Sequence, residues 1–451
     1  MITYQHTKST GQIWLSSIPE HWELIKIKYL FRERVEKGFP DEQLLVSSQS
    51  KGVVPKTVYG SRTVEALKDL HLLKLVREGD FVISLRSFQG GIEYAYYQGI
   101  ISPAYTILVN GGLVESSYFR YLAKSQSFIE LLQMCVTGIR EGQNIDYKRL
   151  KNYCIPIPPR IEQSQIVRFL DWKVSEINKL TGVKRKQIDC LNEKSLAVIN
   201  DLIIHGINRD QANIRTGMDW APEIPSNWTT SRVRNHFAIL KRIAGSEGFD
   251  VFSVTQQGLK VRDINLYEGQ LATDYSGYQF VYPGEFAMNH MDLLTGGVGI
   301  ADHLGVTSPD YRVFRLIDEE HCYAPYYLKV FQICYRRHAF YRFGRGAATV
   351  GRWRLPATAF KNFEIPLPPF EEQVEIVRAI EVEEEKNKTA IDYLQKEIDV
   401  LKELKIRLIA DVVTGKIDVR DIIIPEYDYV DENGDADADE AHDTESDEQE
   451  D

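Results

Sequence analysis

The chain has 451 residues, a net charge of −11 and 43 % hydrophobic residues, with five cysteines and no C-x-x-C pair. It is long enough for two or three domains with real cores. No apolar run reaches bilayer-spanning length, no basic-then-apolar leader is expected at the start, and neither a disulfide framework nor a zinc site is supported, so a reducing cytoplasm is the expected home.

In chain order, the opening Thr10-Gly11-…-Trp14-…-Ile18-Pro19-Glu20-His21-Trp22 returns as Thr216-Gly217-…-Trp220-…-Ile224-Pro225-Ser226-Asn227-Trp228. Gly99 to Tyr105 matches Gly305 to Tyr311, and Lys151-Asn152-Tyr153-Cys154-Ile155-Pro156-Ile157-Pro158-Pro159 matches Lys361-Asn362-Phe363-Glu364-Ile365-Pro366-Leu367-Pro368-Pro369. Each copy begins with a globular part, 1–158 and 207–368. Short β-like runs (Asp80 to Ser84, Tyr105 to Val109, Tyr311 to Leu316) alternate there with turn glycines, and helical stretches run over Ser116 to Met134 and Tyr326 to Phe340. The fold class is therefore α/β, in the sense of mixed α+β domains.

Each copy closes with a long helix, over 159–206 and 369–416. Pro158-Pro159 and Pro368-Pro369 open the helices, Glu162 and Glu371-Glu372 sit at the positive end of the dipole, and Gly206 and Gly415 follow the last turn. Between these marks, Val167, Leu170, Val174, Ile177, Ile188, Leu191, Val198 and Leu202 recur at steps of three and four, as do Val377, Ile380, Ile391, Leu394, Ile398, Leu401, Leu408 and Val412. Thr181, Lys184, Ser195, Glu384, Asn387 and Lys405 fill the remaining seats. A stripe sustained over about five heptads predicts a coiled coil, and an antiparallel pairing brings the chain back most simply. Each helix is expected to be about 65 Å long, equivalent to about 19 base pairs of duplex.

Residues 417–451 form a C-terminal extension ending in an acidic tail. Positions 426–451 hold fourteen Asp and Glu and no Lys or Arg; with them set aside, 54 basic residues face 51 acidic ones, so the body is about +3. Composition predicts a disordered, solubilising appendage. The sharper alternative is a polyanion that competes with DNA for a basic face.

Catalytic motifs are missing from the sequence. There is neither a nucleotide-phosphate loop nor an H-E-x-x-H helix. Ser102-Pro103-Ala104-Tyr105 and Ser308-Pro309-Asp310-Tyr311 faintly resemble the catalytic loop of amino-methyltransferases. Without its second proline or a glycine-rich S-adenosylmethionine loop, each is read as a strand-entry turn with a buried tyrosine. No cofactor and no metal are expected. What remains is DNA-compatible surface near the turn glycines. Candidate DNA contacts are Gln49, Lys51, Lys56, Arg62, Arg86, Gln89, Arg140, Gln143 and Asn144 in the first copy. In the second they are Gln256, Gln257, Lys260, Asn289, His290, Arg345, Arg352 and Arg354. Arg reads guanine and Gln or Asn reads adenine through paired hydrogen bonds, while Lys and Arg neutralise phosphate.

The ordered, duplicated set resembles the specificity subunit of type I restriction–modification systems, from Trp14-…-Ile18-Pro19-…-Trp22 to Val413-Thr414-Gly415-Lys416-Ile417-Asp418. The most specific pieces are the two Ile-Pro-x-Pro-Pro segments with Glu162-Gln163 and Glu372-Gln373. The resemblance implies a non-catalytic subunit with two target-recognition domains, each reading one half of a split site on double-stranded DNA. Two antiparallel spacer helices would separate them and dock modification (methyltransferase) subunits, two being expected. Restriction subunits would supply translocation and cleavage. The long acidic end is not part of that pattern. Two other readings are a self-sufficient methyltransferase or nuclease with a diverged site, testable by S-adenosylmethionine binding, and a coiled-coil adaptor for proteins only, separable by the salt dependence of DNA binding.

Overall fold

The computed structural model describes residues 2–59, 69–137, 144–263, 274–346 and 353–431. Contacts divide the chain into two units, Met1–Lys186 with Leu394–Asp451, and Gln187–Tyr393. The two are built alike.

In the first unit a four-stranded antiparallel sheet runs in the order Phe31–Arg34, Thr106–Asn110, Phe81–Ile83, Glu93–Tyr94. The second unit repeats it as Phe237–Leu240, Arg312–Leu316, Phe286–Met288, Val298–Ile300. The helices packed against each sheet also correspond. Ser116–Lys124 and Gln126–Met134 are separated at Ser125, whose hydroxyl accepts from Phe128 N–H at 3.4 Å. The second unit has the single helix Ala324–Arg336 at the matching place. The core is aromatic: Phe31, Phe81, Phe119 and Phe128 in one unit, Phe237, Phe286, Phe314 and Phe331 in the other, all buried and mostly edge-to-face. Such contacts add to the burial of large rings. The two Ser-Pro segments are turns before strands, with Tyr105 N–H bonded to Ser102 O and Tyr311 N–H to Ser308 O. Their tyrosines are half-buried rather than fully enclosed.

The long helices run Arg160–His205 and Phe370–Val413. Each unit contains the first half of one and the second half of the other. Within the first unit Asn178 meets Lys405 (3.4 Å) and Lys184 meets Glu397 (2.6 Å), so the halves are antiparallel. Within the second, Asn192 meets Asn387 at 3.4 Å, while Ile199 and Ile203 share a core with Ile376 and Ile380. The heptad seats are buried near the domains (Val167, Leu170, Ile177, Thr181, Ile380, Leu408, Val412) and half-buried midway (Lys184, Ile188, Leu191, Asn387, Ile391, Leu394). Polar side chains at the midway seats fix register rather than add apolar burial.

The duplicated motifs recognise each other. Trp22 is 0 % exposed and its Nε1 donates to Glu162 Oε1 at 2.9 Å; Tyr4 donates to the same oxygen, and His21 bonds Oε2 at 2.7 Å. In the second unit Trp228 Nε1 donates to Glu372 Oε2 at 2.9 Å and Asn227 Nδ2 to the same oxygen at 3.2 Å. The neighbouring glutamines are buried tethers. Gln163 accepts from Glu115 N–H and donates to Pro158 O, and Gln373 accepts from Tyr323 N–H and donates to Pro368 O. The glutamates expected only to favour the helix dipole thus serve as specific acceptors.

The far end of the opposite helix caps each station. Gly415, at φ +74°, lies where a Cβ would meet Pro19 and Trp22, and Gly206, at φ +69°, lies where one would meet Glu372 and Trp228. Tyr118 Oη donates to Val413 O (3.0 Å) and Tyr326 Oη to Ile203 O (3.1 Å). Only glycine suits both the left-handed backbone and the close approach.

The reading of 426–451 as one detached appendage is corrected at its start. Gln165 Nε2 donates to Val419 O and Ile422 O, Ser175 Oγ donates to Asp428 O and accepts from Val430 N–H, and Asn178 Nδ2 donates to Val430 O. Residues 419–430 therefore lie along the first long helix. Main-chain groups of this segment take up polar side chains of the helix, a pairing that composition cannot reveal. Residues 432–451 lie outside the described residues.

Candidate nucleic-acid interface

In each unit the candidates collect where strand ends and turns meet. In the first, Gln49 and Lys51 occupy the turn between Leu45–Ser48 and Gly52–Pro55, while Arg86 and Gln89 lie in the bend after Phe81–Ile83. The two bends touch: a Cβ on Gly90 would lie 2.5 Å from Gln49 Cδ. Gln49, Arg86 and Gln89 are exposed together, with Lys51 half-buried beside them. Lys56 stands on the short helix Lys56–Tyr59, and Asn144 on a separate pair, Val136–Thr137 against Asn144–Ile145. Arg62, Arg140, Gln143 and Arg352 lie outside the described residues.

The second unit repeats the plan with other side chains. Gln256 and Gln257 form the turn between Phe252–Thr255 and Gly258–Val261, with Lys260 on the strand that leaves it. Asn289 and His290 follow Phe286–Met288. Gln256 Nε2 donates to Thr295 O at 3.4 Å, and Gly297 sits so close to Thr255 O that no side chain fits. Arg345 and Arg354 pair through their backbones at 2.8 and 3.1 Å, and Leu355 N–H donates to His290 O at 2.9 Å, so this second strip reaches the same loops. Gln256, Gln257, Lys260, Arg345 and Arg354 are all exposed.

His290 is half-buried, and burial, then the positive charges of Arg312 and Arg354, hold its imidazole down to about 3. It is a neutral hydrogen-bonding group at physiological pH, not a phosphate-neutralising cation. The unfolded chain binds this proton near 6.5 and the folded chain near 3. Stability is thus full above the upper value and falls as pH drops through that window. His290→Gln is expected to flatten this acid limb in urea titrations between pH 7 and 5; an unchanged limb would assign it to other groups.

Several flanking residues have no motif to reveal them. Lys124 donates to Gln49 O at 3.0 Å and pairs with Glu93, so a helix lysine braces the first loop. In the second unit Gln332, Arg336 and His338 join Gln256 and Gly297 around a cleft of about 230 Å³. They come from a helix and its end, where periodicity marks only the buried face. No described helix is long and apolar enough to cross a membrane.

The family profile described as "Type I restriction modification DNA specificity domain" matches residues 19–189 and 270–399. Over 440 residues the chain is 22 % identical to a putative type I restriction enzyme specificity subunit, MjaX, of Methanocaldococcus jannaschii, covering 90 % of this chain and 96 % of that one. It is 25 % identical over 226 residues to the MjaVIII specificity subunit of the same organism, covering 48 % and 49 %. A chain from a solved structure concerned with complex assembly and conformational transition of the type I R-M system covers 89 % of this chain and 99 % of its own. That chain has a TM-score of 0.59 at 14 % identity, a likeness of fold. With the profile matching well over half its length, the chain belongs to the type I restriction modification DNA specificity domain family.

Proposed function

We propose that each unit reads one half of a bipartite site on double-stranded DNA, within a type I restriction–modification complex whose other subunits methylate and cut. The role of this chain is to specify DNA, not to perform the chemistry. One observation carries the reading. The same two bends come together in both units, yet they present different side chains: Gln49, Arg86 and Gln89 in one, Gln256, Gln257 and Asn289 in the other. A shared scaffold with different loops is what two half-sites of different sequence require. Arg62, Arg140, Gln143 and Arg352 are assigned to the same role by their places in the sequence. The paired long helices act as the spacer and as the dock for two modification subunits, with restriction subunits joining through them. The complex is assigned to the cytoplasm.

Arg86→Ala is expected to relax base preference in one half-site only, at about 1–3 kcal/mol for a guanine-reading arginine. Binding of the full chain, with its methyltransferase partner, to duplexes varied one half at a time reads this out. Equal losses on specific and random DNA would make Arg86 a phosphate contact instead. Affinity that ignores salt would sink the DNA-binding reading itself.

A further inference from the structure

The second unit contains a buried group of metal-ligand side chains with no counterpart among the described residues of the first unit. His236 ends the short helix Val233–His236, and Asp318 and Cys322 lie in the turn before Ala324–Arg336. One ligand atom from each lies within 4.8 Å of the others, and among the described residues this is the one such cluster. His236 is 6 % exposed and Cys322 2 %. His236 Nδ1 meets Asp318 Oδ2 at 2.7 Å, and its Nε2 is buried without a partner. His321 Nδ1 meets the other carboxylate oxygen at 2.8 Å.

The first unit supplies an internal control. Gly111 N–H bonds Leu30 O as Ile317 N–H bonds His236 O, so Leu30 is the counterpart of His236. Glu115 N–H reaches Gln163 as Tyr323 N–H reaches Gln373, so Val114, just before Glu115, is the counterpart of Cys322. Leu30 and Val114 are 0 % and 1 % exposed and simply fill the core. One scaffold position is thus apolar in one copy, while the other holds an imidazole and a thiol, with a carboxylate alongside. A buried hydrogen-bonded pair needs only His236 and Asp318, yet the Cys322 thiol, which also bonds the Tyr327 hydroxyl, stands beside them as a third donor.

We infer that His236, Asp318 and Cys322 bind one divalent ion of borderline softness, Zn²⁺ or its probe Co²⁺, as a structural clip in the second unit. Imidazole, thiolate and carboxylate are the donor set for such an ion. Three protein ligands leave the fourth tetrahedral position to water. The contact of His236 with Asp318 opens from its present distance toward the edge of a tetrahedron, about 3.3 Å for bonds near 2 Å. His321, on the second carboxylate oxygen, orients that ligand from outside. Cys322 would bind as the thiolate, so metal uptake releases its proton to solvent. The ion would join the end of the helix at His236 to the turn that starts Ala324–Arg336.

The test uses the full chain carrying Cys190→Ser, since Cys190 is an exposed free thiol. Titration with Co²⁺ should give a sulfur-to-cobalt charge-transfer band that saturates at one equivalent. Zn²⁺ should displace it and raise Tm by about 5 °C. Cys322→Val and His236→Leu restore the first unit's own residues, so both should fold and both should lose the band and the Tm rise. Asp318→Asn, checked by circular dichroism, should weaken binding at least tenfold if either of those variants fails to fold. No band in the parent overturns the inference, as does a band that survives Cys322→Val.

Discussion

Glu162→Ala is expected to destabilise the first unit by about 3–5 kcal/mol, because it strips acceptors from several donors at once in a sealed site. Trp22 Nε1, the Tyr4 hydroxyl and His21 all converge on this carboxylate, and Trp22 is wholly enclosed. Burial and the neighbouring Glu162 keep the Tyr4 hydroxyl far above its ordinary range, so it remains a donor. The Arg420 guanidinium stacks on Tyr4, 5.0 Å from its ring centre, which ties the segment after the second long helix to the same site. Glu162→Gln retains an acceptor for Trp22 and should lose less. Glu372→Ala, with Trp228 and Asn227 the donors on its carboxylate among the described residues, should cost less than Glu162→Ala. Urea unfolding followed by tryptophan fluorescence measures all three. Equal, small shifts for Glu162→Ala and Glu162→Gln would show that this station does not hold the unit together.

The second large effect concerns the spacer. Seven residues added to each long helix, after Lys186 and before Leu394, preserve the heptad register on both strands of the pair. Such an insertion lengthens each helix by about 10 Å, the rise of about 3 base pairs. The preferred gap between half-sites is expected to grow by that amount while the half-site sequences stay the same. Insertions of four residues break the register and should lower stability instead. Methylation mapping of the assembled complex on a gap-length series of duplexes reads the outcome. A gap preference indifferent to the seven-residue insertion would take the spacing role away from the helices.

Much of this was legible because duplication supplies its own alignment. Trp22 and Trp228, Gln163 and Gln373, Gly206 and Gly415 stand at matching places in the sequence, and each pair does the same work in the fold. The heptad seats were legible for a simpler reason: a period of three and four survives without knowing the partner. What could not be read depends on contacts between distant segments. Nothing local says that Glu162 receives Trp22, that Gly415 rather than Gly206 closes the first station, or that Ser175 holds Asp428 and Val430. The cluster of His236, Asp318 and Cys322 carries no close cysteine pair in the sequence, because the sheet rather than spacing brings its members together. The loops proposed to read DNA were half legible. Glycine-rich bends marked where Gln49, Arg86 and Gln256 would lie, but Lys124 and Arg336 sit on helices whose exposed faces show no pattern.

The proposed function requires two readers in one chain to recognise two separated half-sites. Selection of the intact complex on fully randomised duplexes, followed by sequencing of bound DNA, tests it most directly. Two short conserved blocks divided by a gap of constant length and free sequence are predicted, with Arg86→Ala degrading one block and Gln256→Ala the other. A single continuous block, or one block that both substitutions degrade together, would contradict it.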